Sequence, residues 1–173
     1  MPPAIIFLLQ LVLGYVPWLL FLGAYMMPWL KTLDRAAAQR VIATLHSFRF
    51  FGLVFILPGV VGPDLPAGFA SSAAYGDFAT GLLAMLALLT FRIRPVFWTL
   101  VVAFNVVGTA DLVGDYIEGV RFGLPAAAGQ LGAAYFIPMI YVPLLMITHI
   151  VAFILLLRPS MSADSPARQE SAG

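Results

Sequence analysis

Five apolar runs separated by short polar gaps account for most of the chain, and their lengths predict a bundle of membrane-crossing helices. The first run, residues 4–27, is long enough at 1.5 Å per residue to cross a ~30 Å hydrocarbon core with some tilt. Asp34 stands where an N-cap would open a helix that begins in polar DRAAAQR and carries on through a second span at 41–61. The Pro- and Gly-rich GPDLPAG reads as a loop, followed by a third span at 76–91. Arg92 to Pro95 leaves room only for a tight turn, so spans three (76–91) and four (95–114) are expected to be antiparallel neighbours. The stretch 122–157 is too long for one crossing and is interrupted by Pro138 and Pro143. It divides into an interfacial or re-entrant piece at 125–136 and a fifth span at 137–157. The expected fold class is therefore all-α, a five-span integral membrane bundle over 1–157, followed by a disordered cytoplasmic tail at 158–173.

Charge sets the direction. Lys31, Arg35 and Arg40 follow the first run, Arg92 and Arg94 the third, and Arg158 and Arg168 the fifth, whereas the alternate gaps contribute only Arg121. Seven basic residues against one is the positive-inside asymmetry, which puts the N-terminus outside and the C-terminus in the cytoplasm. The N-terminus has no basic n-region and no Ala-x-Ala-like site, so it reads as a first span and not a cleaved signal.

Composition agrees: 62% of residues are hydrophobic and 10% charged, too few of the latter to build a water-soluble surface. The lipid bilayer is the expected first partner. A net charge of +1 gives no field for nucleic acid, and the lack of cysteine removes thiolate and iron–sulfur chemistry. No HExxH, GxSxG, histidine box or phosphate-binding glycine loop occurs, so no catalytic residue is assigned. Ala110 with Gly114, and Gly129 with Ala133, have the spacing that lets helices approach closely.

The candidate chemistry lies in the polar residues within the apolar runs. Counting by helical rise, His46 lies about 9 Å and Arg49 about 14 Å above Arg40, His149 about 14 Å above Arg158, and Asn105 about 16 Å above Arg94. Three spans thus bring polar groups to one layer, where an ionisable side chain costs ~2.5–3.5 kcal/mol unless it faces the bundle interior. Arg49, Asn105 and His149, with His46 at the rim, form the expected ligand-binding group. Snorkelling of Arg49 toward the headgroups is the competing reading. A second, outer polar group comprises Asp77, read as the N-cap of the third span, and Asp111, read with Asp115 as a pair facing water.

Three functions follow as expectations. The first is binding of a hydrophobic ligand, or of a larger membrane complex or a second copy of the chain, at the inner polar group. The second is electron transfer by a haem b held between His46 and His149, with Arg49 available for a propionate. The third is a transporter or channel subunit using Asp77 and Asp111.

The segments HSFRFFGLVFILPG, LPAGFASSAAYGDFATGLLA and IPMIYVPLLMITHI resemble those of a group of uncharacterised small bacterial inner-membrane proteins. The resemblance covers about residues 46–157 and is carried by Arg49, Gly52, Leu65, Pro66, Ala67, Gly68, Phe69, Gly76, Asp77, Gly81, Asp111, Pro138, Pro143 and His149. It implies a multi-pass protein of the bacterial inner membrane and supplies no activity.

Overall fold

A computed structural model of the chain describes residues 1–157. The expected tail, with Arg158 and Arg168, lies outside the described residues. Every regular element is helical, and no strand occurs among the described residues. The elements are α1 (Pro3–Thr32, with a π-turn over Leu22–Met26), α2 (Arg35–Ser47), a 3-10 helix (Phe48–Ile56), α3 (Ala67–Leu89), α4 (Arg94–Arg121), a second 3-10 helix (Ala128–Tyr135) and α5 (Ile137–Leu156, opening with a π-turn over Ile137–Tyr141). Four of them, α1, α3, α4 and α5, are long and apolar enough to cross a membrane.

Local chemistry explains the start of α2. Asp34 caps α2, its carboxylate accepting from the Ala36 and Ala37 N–H groups at 2.8 and 2.9 Å. Two differences from the sequence reading matter. Phe69–Tyr75 is part of α3, which starts at Ala67, so Asp77 lies ten residues into the helix and is not its N-cap. The second apolar run does not continue as an α-helix: after Ser47 it tightens into nine residues of 3-10 helix.

A 3-10 helix has three residues per turn, so positions i, i+3 and i+6 eclipse one another. Arg49, Gly52 and Phe55 are the buried residues of this segment and occupy one such line, while Phe48 and Phe51 on another line are exposed. Packing selects the tight helix. At α-helical pitch the three residues would spread over about 120° of the surface and would no longer form one line against α3.

The prolines of α5 are accommodated by α1. Pro143 has no N–H to give the Met139 carbonyl, and the backbone widens to a π-turn in which the Val142 N–H bonds the Ile137 carbonyl. Gly14 of α1 sits against the Met139 carbonyl, which a Cβ there would strike. Trp18, one turn on, donates its indole N–H to the Ile140 carbonyl at 2.8 Å. Backbone groups released by proline are tolerated in an apolar medium when a neighbouring helix covers them in this way.

Two large apolar clusters lie toward opposite ends of the bundle, and a small third one joins Leu112 of α4 to Val142 and Leu145 of α5. One, rich in alanine, joins Ala38, Ile42 and Ala43 of α2 to Ala84 and Ala87 of α3, Phe97, Val101 and Phe104 of α4, and Ile147, Val151 and Ala152 of α5. The other joins Phe7, Phe55, Phe69, Ala73, Leu124, Leu131 and Met139 at the opposite end. Arg35, Arg40 and Arg94 gather beyond the first cluster. Arg40 and Arg94 lie over the Phe91 ring, at 4.1 and 5.1 Å, and Arg35 reaches the Leu156 carbonyl. At the opposite end, Gln130 joins the two connecting loops: its carbonyl accepts from the Gly62 N–H at 2.7 Å and its side-chain oxygen from the Asp64 N–H at 3.2 Å.

Candidate functional site

Between the two apolar clusters the bundle is polar, and Arg49 is at its centre with no exposed surface. It does not snorkel. Its Nε donates to Asp77 Oδ1 of α3 at 2.6 Å, and its Nη2 donates to Asp111 Oδ2 of α4. Nη1 lies 3.3 Å from both the Gly108 carbonyl of α4 and His149 Nε2 of α5. One planar guanidinium therefore ties three helices to the 3-10 segment that carries it, a use of its fixed fork that an ammonium could not reproduce.

Hydrogen-bond direction assigns the histidine tautomers. Asn105 Nδ2 donates to the Val101 carbonyl at 2.8 Å, which turns Asn105 Oδ1 toward His149 Nδ1 at 2.9 Å. His149 Nδ1 therefore carries the proton, and its Nε2 lone pair faces Arg49. The Thr148 hydroxyl is 2.8 Å from the Leu144 carbonyl, to which it donates, so it accepts from His46 Nε2 at 3.0 Å. His46 Nδ1 is buried and has no partner among the described residues.

Glycines make the room. A Cβ on Gly52 would overlap the Asp77 carboxylate, and one on Gly76 would overlap that of Asp111. At Gly108 it would lie 2.7 Å from Arg49 Nη1 and 2.6 Å from the Thr80 methyl. The close-approach pairs expected from spacing are not used this way, since a Cβ on Gly114 or Gly129 would meet nothing within 4 Å.

The structure thus brings together Arg49, Asn105, His149 and His46, and it joins to them the two residues assigned to a separate outer group. Asp111 faces inward to Arg49 and not outward to water, and Asp77 is buried in the same ion pair. Asp115, one turn beyond Asp111, has a buried Oδ1 without a partner among the described residues. Three carboxylates against one guanidinium leave an acidic surplus on the side away from the basic end.

The surplus borders a cavity of about 80 Å³. Phe7 and Leu11 of α1, Phe55 of the 3-10 helix, Phe69 of α3, Leu112 of α4 and Leu124 supply apolar wall, and Asp77, Asp115 and Tyr116 supply its polar atoms. Sequence reasoning missed this cavity because its walls come from six separate segments. It also missed Gln39, which is fully buried and donates to the Ala152 carbonyl at 2.8 Å.

The geometry does not fit a haem between the histidines. Axial imidazoles bond a metal at about 2 Å on each side, which puts about 4 Å between the two ligating nitrogens and the ring centres further apart still. Here the ring centroids of His46 and His149 are 4.0 Å apart, and Phe104 lies 5.6 Å from His46. The imidazoles touch, with no gap for a porphyrin plane, and both Nε2 atoms are engaged by protein groups. No cluster of three or more His, Asp or Glu suited to a metal ion occurs among the described residues.

Fold and site define a class: an all-helical protein with several apolar helices long enough to cross a membrane, built round a buried arginine shared by two aspartates. Residues 6–157 match the family described as Domain of unknown function (DUF8737), and the chain belongs to that family. No curated protein shows significant similarity to the chain. No solved structure does either. Of the residues that carry the resemblance noted from sequence, Arg49, Gly52, Gly76, Asp77, Asp111 and His149 all lie in or against the polar centre.

Proposed function

We propose that this is a five-pass protein of the bacterial inner membrane, which binds a single-chain amphiphile with a cationic, hydrogen-bond-donating head in the cavity beside Asp77 and Asp115. The fifth crossing is the composite of α2 and the first 3-10 helix. Thirteen residues at 1.5 Å and nine at ~2.0 Å add to roughly 38 Å, more than a ~30 Å hydrocarbon core. The gathering of Arg35, Arg40 and Arg94 at one end supports placing that end in the cytoplasm, with the N-terminus outside. The cavity then belongs to the outer half of the bilayer.

The observation that carries the binding reading is the cavity itself: apolar on most sides and closed at one by carboxylates. An alkyl chain matches the walls, and a donor head matches the Asp115 oxygen that lacks a partner. Arg49 belongs to the scaffold of this site. Its charge is shared between Asp77 and Asp111 and is not presented to the cavity. The transporter reading has less support, because the alanine-rich cluster packs all four inner elements below the polar layer.

The test uses the protein in nanodiscs, with radiolabelled n-octylamine and n-octanoate as probes and empty nanodiscs as the blank. Octylamine should be retained above the blank and octanoate should not, and Asp115→Asn should abolish the difference. Equal retention of the two probes, or retention unaffected by Asp115→Asn, would remove the proposed head-group chemistry.

A further inference from the structure

The cavity is small for the ligand class it suits. Ligand sites commonly enclose about 300–1,000 Å³, against the 80 Å³ present here. One wall rests on the least regular helix of the bundle: Phe55 is on the 3-10 segment Phe48–Ile56 and packs edge-on against Phe69 of α3, with ring centroids 5.9 Å apart. Nine consecutive residues are long for a 3-10 helix, whose hydrogen bonds are poorer than those of an α-helix. The segment also continues directly from α2, so conversion to α-helix needs no new nucleus.

We infer that Phe48–Ile56 is the gate of the cavity, closed as a 3-10 helix and open as an α-helical extension of α2. The inference rests on the cavity being the binding site, and the geometry of the transition follows from the two helix types. Arg49 is the fixed point, since Asp77 and Asp111 hold it from two helices. Phe55 is six residues further on. At 120° per residue it lies directly above Arg49, and at 100° per residue it would be turned by about 120°. The same change would shorten the nine residues by about 4.5 Å.

Phe55 would thereby leave the cavity wall, and its ring volume would become available to a ligand. The connection after Ile56 contains Gly59 at φ +83°, a left-handed position that suits a turn able to take up the displacement. The closed state is held by the Phe55–Phe69 contact and by the fit of Gly52 against Asp77, both of which require the threefold register. The outer wall of the cavity is thus tied to the buried ion pair through a single short helix.

The chain has no cysteine, so paired spin labels can be placed without altering native thiols. Thr44→Cys and Leu57→Cys put labels on exposed positions either side of the segment. Double electron–electron resonance in nanodiscs, with n-octylamine as the added probe, should show two distances about 4.5 Å apart, with the shorter one gaining population as octylamine is retained. Phe55→Ala, which removes the gating ring while leaving Arg49 in place, should take up octylamine faster than wild type. A single distance unmoved while octylamine is retained by the same sample would overturn the gate and leave the binding site standing. If octylamine is not retained, the binding proposal fails instead, and the probe-free distances decide the gate: two populations sustain it and one overturns it.

Discussion

Replacing Arg49 with methionine removes the guanidinium at the centre of the buried polar layer while leaving an unbranched side chain in its place. Four donor contacts disappear: those to Asp77, Asp111, the Gly108 carbonyl and His149 Nε2. Breaking a buried ion pair from one side costs about 3–5 kcal/mol, because the remaining charge keeps its desolvation penalty and loses its partner. For a chain of this size, each kcal/mol corresponds to about 2–4 °C in melting temperature, so the expected loss is roughly 6–20 °C. The informative comparison is with the triple variant in which Asp77→Asn and Asp111→Asn accompany Arg49→Met. That variant carries no buried charge at these sites, and its remaining defect is neutral: the two amides and His149 Nε2 have lost the guanidinium donors, at about 1–3 kcal/mol for a group left without any partner. Circular dichroism melts of the nanodisc-embedded proteins should therefore rank wild type above the triple variant and the triple variant above Arg49→Met. If the triple variant were as unstable as Arg49→Met, or if Arg49→Met cost under about 1 kcal/mol, the ion pair would not be the element that organises the centre.

Three further outcomes are expected. Asn105→Leu should destabilise by about 1–3 kcal/mol, because His149 Nδ1–H loses its acceptor, and adding His149→Phe should cost less than the sum of the two single changes in SDS titrations, as contacting residues do. Gly76→Ala should destabilise, since its Cβ overlaps the Asp111 carboxylate, whereas Gly114→Ala meets nothing and should stabilise α4 by about 0.5–1 kcal/mol; the same titration reads both. For topology, Asp64→Cys should react with a membrane-impermeant maleimide on intact spheroplasts and Arg92→Cys should react only after lysis, and the reverse pattern would invert the proposed orientation.

The apolar helices and the inner polar residues were legible because hydropathy and helical rise both act along one axis. Asp34 was legible as a cap for a local reason: a carboxylate directly before a helix-forming run has backbone N–H groups to accept from. The partners of Arg49 were not, and the reason is again geometric. Depth counted from Arg40 to the backbone of residue 49 ignores both the larger rise of a 3-10 helix and the length of an arginine side chain, which here extends toward the Asp111 layer. Gly76 and Asp77 look like a helix start when the third span is counted from residue 76, yet Ala- and Ser-rich FASSAA is compatible with helix once buried against neighbours. The threefold line of Arg49, Gly52 and Phe55 was hidden for a different reason. A window that asks only for periods of 2 or 3.6 has no place for a period of 3.0.

The glycines point to the physical logic of the centre. Sequence spacing singled out pairs that would let backbone meet backbone, but the glycines that matter leave room for side chains: Gly52 for Asp77, Gly76 for Asp111, Gly108 for Arg49 and His149. A charged cluster in an apolar medium needs its hydrogen bonds complete and short, and every added methyl at these positions would hold a carboxylate or the guanidinium away from its partner. The same demand accounts for the asymmetry around the cluster. Below it, alanines draw α2, α3, α4 and α5 together and leave the polar layer closed from the basic end. Above it, large side chains such as Phe7, Phe55 and Phe69 meet less completely and leave a cavity against Asp77 and Asp115. The open space around the cluster is therefore one-sided: it lies against Asp77 and Asp115, away from the basic end.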